Sequence, residues 1–489
     1  MTETKNLKRI LIYFLLINGL VWSLVPLLRL SLPMDTQEAI VWGKFCLWGT
    51  TKHPPFSGWI AYPFWLLFAH WDGAMYLLGQ ICVALGVIYI YRLARQFFDT
   101  SKAVLAALLQ FGVIYYNFSS VEFNVNVVSL ALWPMAAFYF WRAYNQDKWC
   151  DWLLFGVLVG LNLLNKYISG ILFLSLALFV LADGGVWRLL KNIKVYAAVV
   201  LCGVIVAPHL WWLWQNDFEM WHYMASRSAG GKISAWWRHL AYPLKFLAAQ
   251  ILFSAPAWLT YACFRRKNKS VEPQNKTASI FIAITAVVPV MIFMLISLIS
   301  GNALKSMWGF PCLYMLGIAL FYFWPIAWSN AQQRLFVRVM FGWSVLFAVA
   351  YGAQCVLTKS ERFRTNCPQL AQTLVQEWQH ENGGAALEYV GGDVWFSDML
   401  TLYGGAEIKP MIWLSPKNNP WFVAADFGEK GALVVATDAG EYAAYQTAYP
   451  QDLSAPRQMS VTYQNAFGKS KTKTIFYGFL RPREVENGK

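Results

Sequence analysis

Through the first 357 residues, long apolar runs alternate with short polar interruptions. A bilayer crossing needs about 20 mostly apolar residues in a helix. The runs at 10–28, 73–91, 103–116, 125–141, 152–165, 168–182, 195–215, 241–264, 277–300, 308–328 and 336–357 are read as such helices, eleven in all. The basic start MTETKNLKR precedes the first run, and no small-residue cleavage site follows it, so a retained anchor helix is expected. After residue 358 the pattern changes. CPQLAQTLVQEWQHE has a helical period, whereas AALEYVGG, KPMIWL, GALVVAT and KTIFYGFL read as short strands. The expected domains are a membrane module over 1–357, including an outer loop at 31–72, and a small α/β domain over 358–489. The aromatic pieces of that loop, WLLFAHW among them, are expected along the membrane surface.

Composition agrees with a polytopic α-helical membrane protein. The chain has 489 residues, 57% hydrophobic and only 13% charged, against roughly 25% charged in soluble domains. The net charge of +14 would suit a nucleic-acid binder, but its distribution fits membrane orientation better. Loops on the amino-terminal side hold 18 Lys and Arg, and loops on the opposite side hold 7. The positive-inside rule then puts the amino terminus in the cytoplasm, and an odd number of crossings puts the carboxyl-terminal domain outside. Most of the eight cysteines lie in or beside apolar runs, without CxxC pairs, which argues against a disulfide framework or a zinc site.

The polar island MDTQEAIVWGKFCLWGTTKHPPFSGW, residues 34–59, holds the densest candidate chemistry. Asp35 and Glu38, three apart, can cap a short helix as a capping box. A carboxylate there can equally serve as general base towards an acceptor hydroxyl. Lys52 and His53 precede a diproline, which restricts the backbone that carries them. Lys166, in GLNLLNKY, is either a snorkelling lysine or a cation facing the same outer level. Asn124 and Asn126, in VEFNVNV, can bond a sugar or a neighbouring helix. A Trp-rich loop carries His222 and Arg227, and GNALKSMWGFP carries Lys305. Arg suits bidentate phosphate recognition. Glu38, His53 and His222 could supply a divalent metal, although no local spacing supports it. No Walker motif, GxGxxG fingerprint or GxSxG elbow is present, so nucleotide-driven transport and serine-hydrolase chemistry have no support.

The stretches DTQEAIVWG, KHPPFSGW, FNVNVVSLALWP, GLNLLNKY, PHLWWLWQNDF and KSMWGFP together resemble the bacterial branch of the dolichyl-phosphate-mannose–protein mannosyltransferase superfamily. These are glycosyltransferases of the GT-C fold, among them the enzymes that add aminoarabinose to lipid A. The resemblance implies an inner-membrane enzyme that moves a sugar from a polyprenyl-phosphate donor to a periplasmic acceptor, such as lipid A, lipopolysaccharide core or another envelope glycan. It implies Asp35 as catalytic base with Glu38 beside it. Lys52, His53, Lys166, Tyr167, Asn124, Asn126, His222, Arg227 and Lys305 form the expected set for donor phosphate and sugar. No cofactor is required by these motifs, with a divalent metal left open. A transporter or flippase for a lipid-linked sugar is the alternative, but it would place ionisable groups in mid-span.

Overall fold

Each apolar run is helical, but the helices differ in their capacity to cross a bilayer. A computed structural model describes residues 2–223, 236–267, 274–416 and 419–481. The first helices are α1 (Thr2–Leu24), α2 (Met34–Phe45), α3 (Phe56–Leu67), α4 (Asp72–Ala94), α5 (Thr100–Leu108), α6 (Val125–Gln146), α7 (Trp149–Asn165), α8 (Gly170–Ala182), α9 (Val186–Leu190) and α10 (Ile193–Gln215). Arg238–Phe253, Ala255–Lys267, Lys276–Ser300, Leu316–Phe323 and Asn330–Leu357 follow.

Among the described residues, six helices are long and apolar enough to span, or up to eight if each of two bent pairs is one span. The pairs are Thr100–Gly112 with Ile114–Val121, bent by 89°, and Arg238–Phe253 with Ala255–Arg265, bent by 60°. The expected eleven exceeds this count for a physical reason. Trp149–Asn165 and Tyr167–Ala182 are short apolar helices, and α6 is diluted by Asn126, Ser129, Arg142 and Asn145. The chain is a polytopic helical membrane protein.

Two compact units divide the residues. The first comprises Met1–Val25, Lys52–Ser57 and Gly73–Tyr351. Its helices approach closely where side chains are small, as membrane helices do. A Cβ added at Gly156 of α7 would lie 2.5 Å from the Ala198 carbonyl oxygen of α10. At the far end of α6, Asp147 adopts left-handed backbone with φ 49°. Its carboxylate accepts from Lys194 Nζ at 2.6 Å, Asn192 Nδ2 at 2.6 Å and Trp152 Nε1 at 2.9 Å. The Lys194 bond, first among these, lowers the Asp147 pKa to about 2.

The second unit comprises Pro26–Thr51, Gly58–Asp72 and Gly352–Lys489. The loop 31–72, read from sequence as part of the membrane module, is therefore divided, and most of it belongs with the carboxyl-terminal residues. The sheet contains β1 (Tyr389–Gly392), β2 (Lys409–Ile412), β3 (Ala432–Ala436), β4 (Arg457–Gln464) and β5 (Ser470–Leu480), in the order β2-β1-β3-β5-β4. β1 runs parallel to β2 and β3, and β5 runs antiparallel to β3 and β4. The central β3 is buried throughout, so ALVVA is a continuous apolar run rather than an alternating one. Leu433 and Val435 meet one core with Leu374, Trp378 and Met399, while Ala432 and Val434 meet another with Met411, Phe427 and Tyr442. Strand β4, which the sequence reading missed, is an edge strand with alternate residues exposed.

Helix α2 packs on helix Val394–Tyr403, and Met34 reaches the first of these cores. Helices α2 and α3 meet backbone to backbone. A Cβ on Gly43 would fall 2.1 Å from the Gly58 carbonyl oxygen and 2.5 Å from Tyr62 Cβ. Overpacking of this kind costs about 1–3 kcal/mol or more. Gly43→Val is therefore expected to lower the thermal midpoint of the detergent-purified chain, and an unchanged midpoint would refute the close contact.

Candidate functional site

In the second unit the candidate acids sit on α2. Its N-cap is Pro33, which makes no side-chain capping bond, and Asp35 already lies in the first turn. The capping-box reading of Asp35 and Glu38 is thereby corrected. The helix starts two residues earlier than expected, at Met34, because Pro33 is pre-set for entry into it and takes the flanking position. Asp35 instead places negative charge at the positive end of the helix dipole. Asp35 is half-buried, whereas Glu38 is buried on the second turn. Gln37 Nε2 donates to the Leu32 carbonyl at 2.9 Å, tying the helix start to the residues before it.

Lys44, a member of the same polar island, closes the other end of α2. Its Nζ donates to the Ile408 carbonyl at 2.8 Å. Burial lowers its pKa to about 8, with Glu407 opposing and Lys409 adding to the shift. Next to it, Phe45 stacks on Trp421 at 4.3 Å and 12°. Trp48 meets Trp59 edge-on at 4.8 Å.

In the first unit, three helix ends converge: the start of α6, the break between α7 and α8, and the start of the 3-10 stretch Ser306–Met315. Asn124 caps α6, its side-chain oxygen accepting from the backbone N–H of Asn126 at 2.8 Å and Val127 at 3.3 Å. Asn165 Nδ2 donates to the Val125 carbonyl at 2.8 Å and to Ser129 Oγ at 3.0 Å, stitching the end of α7 to the first turn of α6. Lys166 follows in extended backbone, with φ −163° and ψ 127°. Its amine is buried and donates to Asn126 Oδ1 at 2.5 Å. Asn126 Nδ2 faces Met307 Sδ at 3.7 Å. A buried ammonium needs good acceptor geometry, since its desolvation costs several kcal/mol. The snorkelling reading of Lys166 does not describe a side chain held inward in this way.

Tyr167, the next residue, shares a hydrogen bond of 2.5 Å with His209 Nε2. His209 lies fully buried on α10, near-parallel to Trp212. Sequence reasoning quoted its motif but passed over the residue. The available signal was a polar ring within an apolar helix, which in a membrane protein is a functional flag by default. A second network was also missed. Tyr115 donates to Gln250 Oε1 at 2.9 Å and to the Ser306 carbonyl at 2.8 Å, and Gln250 Nε2 donates to the same carbonyl at 3.1 Å. It fixes the backbone next to Lys305, whose side chain is exposed.

Lys52 and His53 are half-buried, ahead of a buried Pro54–Pro55 pair. The Lys52 amine stands 6.0 Å from the Tyr223 ring centre, next to the exposed His222. Arg227 lies outside the described residues. Among the described residues no group of three or more His, Cys, Asp or Glu side chains is placed to hold a metal ion, and Glu38, His53 and His222 are not such a group.

The architecture matches solved proteins over nearly its whole length. ArnT from Cupriavidus metallidurans in the apo state superposes with a TM-score of 0.63, covering 95% of this chain and 97% of that one at 14% identity. The same protein bound to undecaprenyl phosphate gives 0.62, covering 98% and 99% at 14% identity. The chain has the GT-C fold. Within this GT-C chain, residues 52–212 match the family model described as dolichyl-phosphate-mannose-protein mannosyltransferase. That segment holds Lys52, His53, Asn124, Asn126, Lys166, Tyr167 and His209, and leaves Asp35 and Glu38 outside. In sequence the chain is similar to the lipopolysaccharide core galacturonosyltransferases RgtA and RgtB of Rhizobium johnstonii. RgtA is 26% identical over 241 residues, 48% of either chain. RgtB is 25% identical over 303 residues, 58% of this chain and 59% of its own. The chain thus spans about half the length of the relatives it matches in sequence.

Two predictions follow from this geometry. Asn126→Ala removes an acceptor from a buried cation and should destabilise by about 1–3 kcal/mol. Lys166→Met, which removes the charge itself, should melt close to wild type. Equal losses in thermal denaturation would mean that the amine makes no special demand on Asn126. The second concerns Lys44, whose folded pKa of about 8 lies below the ordinary 10.5. Between those values the unfolded chain binds more protons, so stability rises with pH across that window. The difference between wild type and Lys44→Gln, followed by melting at several pH values, should show a slope there and none below about pH 7.

Proposed function

We propose that this chain is an inverting glycosyltransferase that takes a sugar from a polyprenyl-phosphate donor and passes it to a lipopolysaccharide, lipid A or other envelope acceptor. The observation that carries the reading is the buried Lys166 amine on Asn126, within the segment that matches the mannosyltransferase family model. A fixed cation in apolar surroundings suits a leaving phosphate, because preorganised charge acts most strongly where water is excluded. Support also comes from relatives named as lipopolysaccharide core galacturonosyltransferases, and from an ArnT of the same fold bound to undecaprenyl phosphate.

In the proposed reaction the Asp35 carboxylate takes the proton of the acceptor hydroxyl. That oxygen attacks the anomeric carbon from the face opposite the phosphate, inverting its configuration, and the carbon–oxygen bond to the phosphate breaks. The electron pair leaves on the polyprenyl phosphate, where Lys166 meets it, with Lys52, His53 and Lys305 as further donors. Tyr167 is held by His209 beside that lysine. Asn124 and Asn126 act by placing the helix start and the amine. His222 and Arg227 extend the phosphate-binding set. The Lys and Arg excess on the amino-terminal side favours a cytoplasmic amino terminus in an inner membrane, and eleven crossings, taken from the apolar runs, then set the carboxyl-terminal domain in the periplasm.

Reconstituted full-length protein given radiolabelled polyprenyl-phosphate sugar and envelope lipids is expected to release free polyprenyl phosphate in step with acceptor labelling. Asp35→Asn should lower that rate by about 10²- to 10⁴-fold, the usual value of a general base. Wild-type transfer by this variant would remove Asp35 from the mechanism. Movement of intact donor across the membrane without release of phosphate would overturn the enzyme reading itself.

A further inference from the structure

Two membrane-spanning helices of the chain end beside the last β-hairpin. The candidate spans Leu7–Leu28 and Asn330–Leu357 both finish there. Arg364 donates to the Leu28 carbonyl at 3.3 Å and to the Gln464 carbonyl at 2.8 Å. The Leu357 carbonyl accepts from Asn465 Nδ2 at 2.9 Å, and the Val356 carbonyl from the Ala466 N–H at 2.9 Å. The turn joining β4 to β5 is thereby tied to the carboxyl-terminal ends of both candidate spans.

That turn is built to hold its shape. Asn465 Oδ1 accepts from the N–H groups of Phe467 and Lys469, both at 3.0 Å. Gly468 takes left-handed backbone with φ 74°, and Gln464 Nε2 donates to its carbonyl at 3.2 Å. The Phe467 side chain projects from this turn and is 72% exposed. A large aromatic ring presented by a braced turn next to two membrane exits has the chemistry of an interfacial anchor.

Beside the tip lies an open cleft of about 660 Å³ lined by Lys359, Ser360, Glu361, Lys471, Thr472 and Lys473. Glu361 pairs with Lys473 at 2.9 Å. Lys359 and Lys471 are exposed and enter no ion pair among the described residues, and Lys469, two residues before Lys471 in the chain, is a further exposed cation. The cleft is therefore cationic after its internal pair is counted, and it offers two hydroxyl groups.

We propose that this cleft binds the phosphate of an anionic lipid headgroup in the adjacent leaflet, with Phe467 seated among the acyl chains. The site is separate from the residues assigned to sugar transfer and requires only that the chain be embedded in a membrane. Basic residues at a membrane surface each strengthen binding to anionic lipid by about fivefold.

The test uses full-length protein with a photoreactive benzoylphenylalanine in place of Phe467, in vesicles of phosphatidylcholine and phosphatidylglycerol. After illumination, mass spectrometry reads the lipid attached at that position. Phosphatidylglycerol should be enriched over its share of the vesicle, and Lys359→Gln and Lys471→Gln should each reduce the enrichment by about fivefold. Adducts that mirror the vesicle composition, or a position 467 that captures no lipid, would overturn the proposal. So would loss of the enrichment on adding inorganic phosphate, since the cleft would then be a site for the free anion. Sugar transfer does not enter this readout, so its outcome is independent of the enzymatic reading.

Discussion

Backbone polar groups inside an apolar module have no water to bond, so every interruption of a helix must be repaired by the protein itself. In the first unit that repair is made largely by amide side chains. Asn117 Nδ2 donates to the carbonyls of Phe111 and Val113 at the 89° bend. Asn124 caps the start of α6, Asn165 stitches the end of α7 to it, and Gln250 serves both its own helix and the Ser306 carbonyl. The same interruptions carry Lys166, Tyr167 and Lys305. Candidate chemistry and irregular backbone coincide because a helix break is where an apolar bundle can present polar groups without leaving others unsatisfied.

This constraint also explains which polar residues are structural. Asn124 and Asn126 look alike in the sequence, two positions apart. The first directs its oxygen to backbone N–H groups, and the second directs its oxygen to an amine. One makes the helix start and the other uses it. A comparable division holds on α2, where Gln37 ties the helix to its approach while Asp35 and Lys44 complement the two ends of its dipole.

Much of the fold was legible in the sequence because burial imposes period and length. The helix Cys367–Glu381 coincides with the run that predicted it, β1, β2 and β3 fall within predicted strands, and β5 contains the last one but begins three residues earlier. Strand β4 escaped because an edge strand buries little, so RQMSVTYQ lacks a strong apolar signal. The sequence reading counts eleven spans where six to eight described helices meet the length and composition of a crossing, the difference lying in the short pair around Lys166 and in the polar-diluted α6. In the site, Lys166 was visible as a charge between apolar runs. His209 was not noticed, because one ring among tryptophans alters the local pattern very little. The capping box failed on one residue, Pro33, whose fixed geometry suits the position before a helix better than the motif allowed.

The contact of Gly43 with Gly58 has a mechanical consequence. Where side chains separate two helices, rotamer changes let one slide over the other. Here carbonyl meets backbone directly, and no such lubricating layer exists. Helices α2 and α3 must therefore tilt as one lever. With α2 about 18 Å long, a small rotation about the glycine fulcrum is delivered at the opposite end, where Asp35 sits, as a displacement of the carboxylate rather than as local deformation.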